Sequence, residues 1–160
     1  MKNMNFLLIL LCGCEILRDR QTEPKVSQMS LKHVIGRLDT CAVDANAMFG
    51  NCVWQTLFGK DDQSSDLSLG YATFPPHGTL HQHRHDDAEF YFCTRGSGTV
   101  VIEGNIVELT VGVSVMIPRN ALHEVKAGAD GLEFVYGFPN QPYFSQVNYE
   151  FVEQNTGRIA

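Results

Sequence analysis

From Cys52 onward the chain alternates short apolar runs with turn signals, and this pattern predicts strands. The candidate strands are Val53–Phe58, Leu67–Phe74, Glu89–Arg95, Thr99–Glu103, Ile106–Leu109, Val113–Ile117, His123–Lys126 and Leu132–Phe138. Turn segments separate them: Gly59-Lys60-Asp61-Asp62, Pro75-Pro76-His77-Gly78, Gly96-Ser97-Gly98, Gly104-Asn105, Val111-Gly112, Pro118-Arg119-Asn120 and Gly128 to Gly131. Gly104-Asn105 reads as a two-residue hairpin turn between β-branched strands. No helical periodicity competes after Cys52. Many short strands at this spacing predict an all-β chain, closed or sandwiched and antiparallel.

The N-terminal part has a different texture. Residues 1–30 comprise an apolar run, Phe6 to Leu11, followed by a polar segment with Pro24 that reads as a linker. The apolar run is too short to span a bilayer, so no transmembrane span is expected. Leu11-Cys12-Gly13-Cys14 has the form of a lipoprotein cleavage box. A cytoplasmic location is the first expectation; secretion or lipid anchoring through Cys14 is the alternative. Residues 31–160 are read as one domain, with a short helix expected within 31–51.

Charge and cysteine usage narrow the function classes. The formal net charge of the 160-residue chain is -6, and no run of Lys or Arg breaks it, so nucleic acid is not an expected partner. Five cysteines, an odd number without a CxxC pair, argue against a disulfide scaffold, with a Cys41–Cys52 bridge left open. Cys52 and Cys93 read as small buried hydrophobes. The acidic run from Asp61 to Asp66 lacks the alternation and closing Glu of a calcium loop and reads as a solvated loop.

The chemistry concentrates around His83-Arg84-His85 and Glu89. In a strand, residues two apart share a face, about 6–7 Å apart at the backbone, so His83 and His85 can lean onto one ion. Asp86-Asp87-Ala88 reads as a turn that returns Glu89 on the neighbouring strand. His123 follows the Pro118 turn and opens a strand that can cross beside the first pair. Three imidazoles and one carboxylate suit one divalent transition metal, Fe, Mn, Ni, Co or Zn. Without thiolates the set does not read as a closed structural zinc site. A six-coordinate ion held by four side chains would keep two positions for water or substrate. His33 and His77 read as surface residues.

His83-x-His85-x3-Glu89-x6-Gly96 matches the second half of the first cupin motif. Gly112-x5-Pro118-x-Asn120-x2-His123 resembles the second. Gly78 lies one position closer to the histidines than usual. Asn120 stands for the usual glycine, and Ala127 for the closing Asn. The chain is therefore similar to the cupin superfamily over about residues 50–140. The resemblance implies a single jelly-roll β-barrel with the metal near its middle.

The same resemblance implies candidates around the ion. Tyr91 shares the parity of Glu89 and would face the cavity as a general base or substrate-orienting group. Glu89-x-Tyr91 resembles the cupin lyases that cleave dimethylsulfoniopropionate. His81 shares the parity of His83 and is placed on the cavity wall, as a catalytic candidate or alternate ligand. Arg84, Arg95 and Arg119 lie near the motifs and are candidate anchors for an anionic substrate. Phe90 and Phe92 have the opposite parity and would point outward, which implies a homodimer, or else cover from the chain's own N-terminal arm or from the aromatic tail, Phe144 to Phe151. The functional expectation is a metal-dependent enzyme acting on a small organic molecule, of dioxygenase, lyase or isomerase type. The alternative is a non-catalytic cupin that binds a small molecule or sugar.

Overall fold

The computed structural model describes residues 34–60 and 66–152. The expectations on the N-terminal apolar run, Cys12, Cys14, His33 and most of the acidic run lie outside these residues. Among the described residues no helix is long and apolar enough to cross a membrane.

The described chain is nearly all strand: β1 (Val53–Phe58), β2 (Leu67–Phe74), β3 (Thr79–His85), β4 (Glu89–Ile102), β5 (Asn105–Thr110), β6 (Ser114–Ile117), β7 (His123–Pro139) and β8 (Tyr149–Phe151). One 3-10 turn, Phe144–Gln146, precedes β8. The short helix expected within 31–51 does not form in residues 34–51, which hold turns and the isolated bridges Asp44 to Trp54 and Gly50 to Leu80. All pairings are antiparallel. The sheet runs β1-β2-β7-β3-β8, and β4 carries β5, β6 and β7. This curled sheet is the cupin-type barrel implied by the motifs.

Two long strands form its spine, and both were expected as two short ones. Gly96-Ser97-Gly98 lies inside β4, and Gly128 to Gly131 lies inside β7. These glycines act as bends rather than turns. Gly96 and Gly131 have positive φ (70° and 79°), and a Cβ on Gly96 would run into the Gly131 carbonyl. The pairing of β4 with β7 shifts register at these points, which lets each strand curve around the core without ending. The hairpin turn expected at Gly104-Asn105 sits one residue earlier. Glu103 and Gly104, both at positive φ (47° and 78°), link Ile102 to its partner Asn105, so the turn is type I′.

Strand alternation then sorts the side chains. On β4, Glu89, Tyr91 and Cys93 are buried, whereas Phe92 is exposed and Phe90 half-buried. The inner face of β7 supplies Phe134, Tyr136 and Phe138. Phe134 stacks on Tyr91 with ring centroids 4.3 Å apart and packs 5.3 Å from Phe74. Phe134→Ala should cost about 3–5 kcal/mol, because the cavity it leaves is walled by rings that cannot collapse into it. Chemical denaturation against the parent protein measures this; a loss below about 1 kcal/mol would contradict the packing described. Cys52 and Cys93 are buried free thiols, as expected, and Cys41 is also free, so no Cys41–Cys52 bridge forms.

Candidate metal centre and active site

Strand register brings the histidines together. His83 of β3 is the cross-strand partner of His123 of β7, and their ring centroids lie 4.2 Å apart. His85 is two residues along β3, on the same face, with its ring 5.0 Å from that of His123. Candidate ligand nitrogens of His83, His85 and His123 all lie within 4.8 Å of one another. Glu89 enters from the start of β4. That strand is not adjacent to β3, contrary to the sequence reading: β4 pairs with β5, β6 and β7. Its carboxylate nonetheless reaches the cluster, with Oε2 3.2 Å from His85 Nε2 and 3.4 Å from His123 Nε2. All four side chains are at most 4% exposed.

Backbone carbonyls fix which imidazole nitrogen faces inward. His83 Nδ1 meets His81 O at 2.7 Å, His85 Nδ1 meets Asp87 O at 2.8 Å, and His123 Nδ1 meets Ala121 O at 2.9 Å. A carbonyl only accepts, so Nδ1 carries the proton in each ring and Nε2 presents a lone pair in the neutral form. Second-sphere bonds of this kind orient metal-ligating histidines. The turns that follow the motifs support the same geometry. Asn120 adopts φ 60°, the conformation that makes asparagine a workable substitute for glycine, and its N–H donates to His85 O at 2.9 Å.

The electrostatics of this cluster call for a cation. The Nε2 atoms of His85 and His123 converge with that of His83 beside the Glu89 carboxylate, and His123 Nε2 is buried without a hydrogen bond of good geometry. Such an arrangement is costly unless a proton or metal ion occupies it. Burial, helped by His123, lowers His83 to about 4. Burial also opposes the charged form of His85, but the Glu89 carboxylate and the Asp87 carbonyl outweigh it and raise that ring. Burial alone would raise Glu89; the neighbouring His123 and His85 outweigh it and hold the carboxyl at about 2. Three imidazoles and an ionised carboxylate therefore fit a divalent transition metal.

A pH prediction follows for the metal-free protein. Between pH 6.5 and 4 the unfolded chain protonates at His83 while the folded chain does not, so stability falls as acid is added. His85 runs the other way, but its contribution is complete below 6.5 and fades only above it. Thermal unfolding of chelator-treated protein should show a lower Tm at pH 4.5 than at 6.5, with a smaller difference in His83→Gln. An unchanged Tm in the parent protein would contradict it.

A cavity of about 280 Å³ opens beside the cluster and reaches His83 and Glu89. That size suits a small organic molecule. Tyr91 lines it, as its parity implies, and is 1% exposed with its ring 6.4 Å from His123. Its hydroxyl lies in the field of Glu89 without a hydrogen bond of good geometry. Burial, then the Glu89 carboxylate, pushes the phenol well above its ordinary range.

The structure does not bring His81 to this cavity. The pairing of β3 with β7 shifts register between Leu80 and His83, which breaks the parity argument. His81 Nδ1 instead meets Met48 O at 3.1 Å, and the residue lies by a separate surface pocket with Glu124 and Lys126. The arginine candidates also face away. Arg84 is 3.4 Å from Glu150, Arg95 is 2.9 Å from Glu133, and Arg119 donates to Asp86 O at 3.0 Å. No Lys or Arg is among the described residues that line the cavity.

Sequence reasoning missed much of the cavity wall. Phe49, Trp54, Tyr136 and Tyr149 line it. Trp54 was legible in principle, since it has the inward parity of β1. Tyr149 was not, because β8 is only three residues long and its pairing with β3, Tyr149 opposite His85, exists only in the tertiary fold.

A family model described as Cupin domain matches residues 70–136. Dimethylsulfoniopropionate lyase DddW of Ruegeria pomeroyi is 40% identical over 104 residues, covering 64% of this chain and 68% of that protein. Among solved structures, an RmlC-like cupin from Shewanella frigidimarina superposes with a TM-score of 0.57 at 16% identity, over 68% of this chain and 92% of the other. The polyketide cyclase RemF of Streptomyces resistomycificus gives 0.62 at 19% identity, over 78% and 88%. These two show the fold alone. The chain belongs to the cupin family, with a cupin type-2 domain, and its relation to the lyase supports an enzyme of lyase type.

Proposed function

We propose that this protein is a metal-dependent cupin lyase that cleaves a small β-sulfonio carboxylate of the dimethylsulfoniopropionate kind. The observation that carries the reading is the Tyr91 hydroxyl, buried and without a hydrogen bond of good geometry, in a cavity beside three clustered histidines and the Glu89 carboxylate. The 40% identity to a lyase for that substrate supports the same choice among the chemistries found on this fold. A barrel interior plugged by apolar side chains would favour a binder or relic; the open cavity favours catalysis.

Nε2 of His83, His85 and His123, with the Glu89 carboxylate, would hold the ion, which is Fe, Mn, Ni, Co or Zn. When bound, it supplies the positive charge that a substrate carboxylate needs and that favours the ionised form of Tyr91. The remaining steps belong to the chain. The cavity wall holds the substrate and excludes bulk water. Tyr91, as phenolate, takes the proton from the carbon next to the carboxylate. The C–H electron pair forms the carbon–carbon double bond as the C–S bond breaks, and dimethyl sulfide leaves with that bond's pair. Acrylate remains, and Tyr91 returns its proton to solvent. No external oxidant or reductant enters the balance, so turnover should not require dioxygen.

The outward Phe92 and Met116, 43% and 60% exposed on adjacent strands, support a homodimer formed through this face.

The test is release of dimethyl sulfide and acrylate in equal amounts by metal-loaded protein, under air and under nitrogen. Equal rates in both support the lyase reading. No release with any of the five metals, or release only under air, contradicts it.

A further inference from the structure

The rings of the cavity wall fall into groups that leave space between them. Phe49 packs 5.2 Å from Trp54 and 5.0 Å from Tyr149. Across the cavity, Tyr91 stacks on Phe134. Tyr149 and Phe49 both lie beside the metal cluster, 5.7 Å and 6.3 Å from His83, and Trp54 joins them through Phe49. Among the described residues, the only carboxylate on the wall is Glu89, at the metal end, and no Lys or Arg faces the space.

We propose that Phe49, Trp54 and Tyr149 form a subsite for a permethylated onium group, oriented so that the ligand's carboxylate lies toward His83 and Glu89. The proposal rests on the lyase reading and adds the chemical class that these rings recognise. Aromatic faces attract cations that present only methyl groups, and tryptophan does so best. A sulfonium or quaternary ammonium donates no hydrogen bonds, so a ring wall satisfies it fully. A primary ammonium would lose hydration against these three rings, which offer it fewer acceptors than water does. The subsite therefore selects for positive charge and against a free N–H at the same time.

Trp54 is the chain's single tryptophan, so fluorescence reports directly on this wall. Metal-loaded protein is titrated with 3-(trimethylammonio)propionate, with its neutral isostere 4,4-dimethylpentanoate, and with 3-aminopropionate. The onium compound should bind about ten-fold or more tightly than either of the others. In Trp54→Leu, followed by calorimetry, the preference over the neutral isostere should shrink to about three-fold or less. Trp54→Phe, which keeps a ring, should retain most of the preference and serves if the leucine variant does not fold. Equal affinity for the onium and neutral compounds overturns the proposal, as does an undiminished preference in Trp54→Leu. The two readings separate cleanly. Onium preference without dimethyl sulfide release removes the lyase and leaves the subsite; release without onium preference removes the subsite and leaves the lyase.

Discussion

Tyr91→Phe should lower turnover of dimethylsulfoniopropionate by about 10²–10⁴-fold, the range expected for loss of a positioned general base. The substitution deletes one oxygen and nothing else. The ring keeps its stack on Phe134, and the hydroxyl, near Glu89, has no hydrogen bond of good geometry to lose. Stability should therefore hold or rise slightly, since an unsatisfied buried hydroxyl is removed. Metal content should stay at the parent level. Steady-state assays beside elemental analysis check both halves. Parent-like turnover would end the role of Tyr91, and loss of metal along with activity would mean that the phenol serves the centre rather than the proton transfer.

The second large effect concerns the centre itself. His123→Ala removes a ring that is 0% exposed, whose Nε2 has no hydrogen bond of good geometry and whose Nδ1 is held by Ala121 O. Metal affinity should fall by more than the roughly 10–100-fold that loss of an outer-sphere partner costs. Activity should fall with it. The barrel should remain folded, because the aromatic packing of Phe74, Phe134 and Phe138 does not depend on this ring. Glu89→Gln gives the isosteric comparison: similar volume, no charge, and a comparable loss of metal. Mass-spectrometric metal analysis with circular dichroism measures both variants. Unchanged metal content in either one would remove that residue from the site.

Much of this candidate centre was legible because a β-strand has a two-residue period. His83 with His85, and Glu89 with Tyr91, follow from parity, and the two cupin motifs supplied the link to His123. Parity failed where the backbone departs from regular pleating. The register shift between Leu80 and His83 turned His81 away, towards Met48 O. Glycines misled for a related reason. Gly96-Ser97-Gly98 and Gly128 to Gly131 have turn composition, yet in a barrel such residues bend continuous strands, and only the register of β4 against β7 reveals which. The aromatic wall stayed hidden because it joins Phe49 and Trp54 to Tyr136 and Tyr149, which lie far along the chain. Phe49 lies outside any strand, and Tyr149 sits on a strand too short to stand out in the sequence. The outer face was read correctly from parity, with Phe92 exposed and Phe90 half-buried.

The most direct measurement is an anomalous-difference map from crystals of the metal-loaded protein, recorded at the absorption edge of the added metal. The account predicts one strong peak per chain, within bonding distance of Nε2 of His83, His85 and His123 and of a Glu89 oxygen. A peak elsewhere, or one that leaves any of those four side chains uncoordinated, would contradict it.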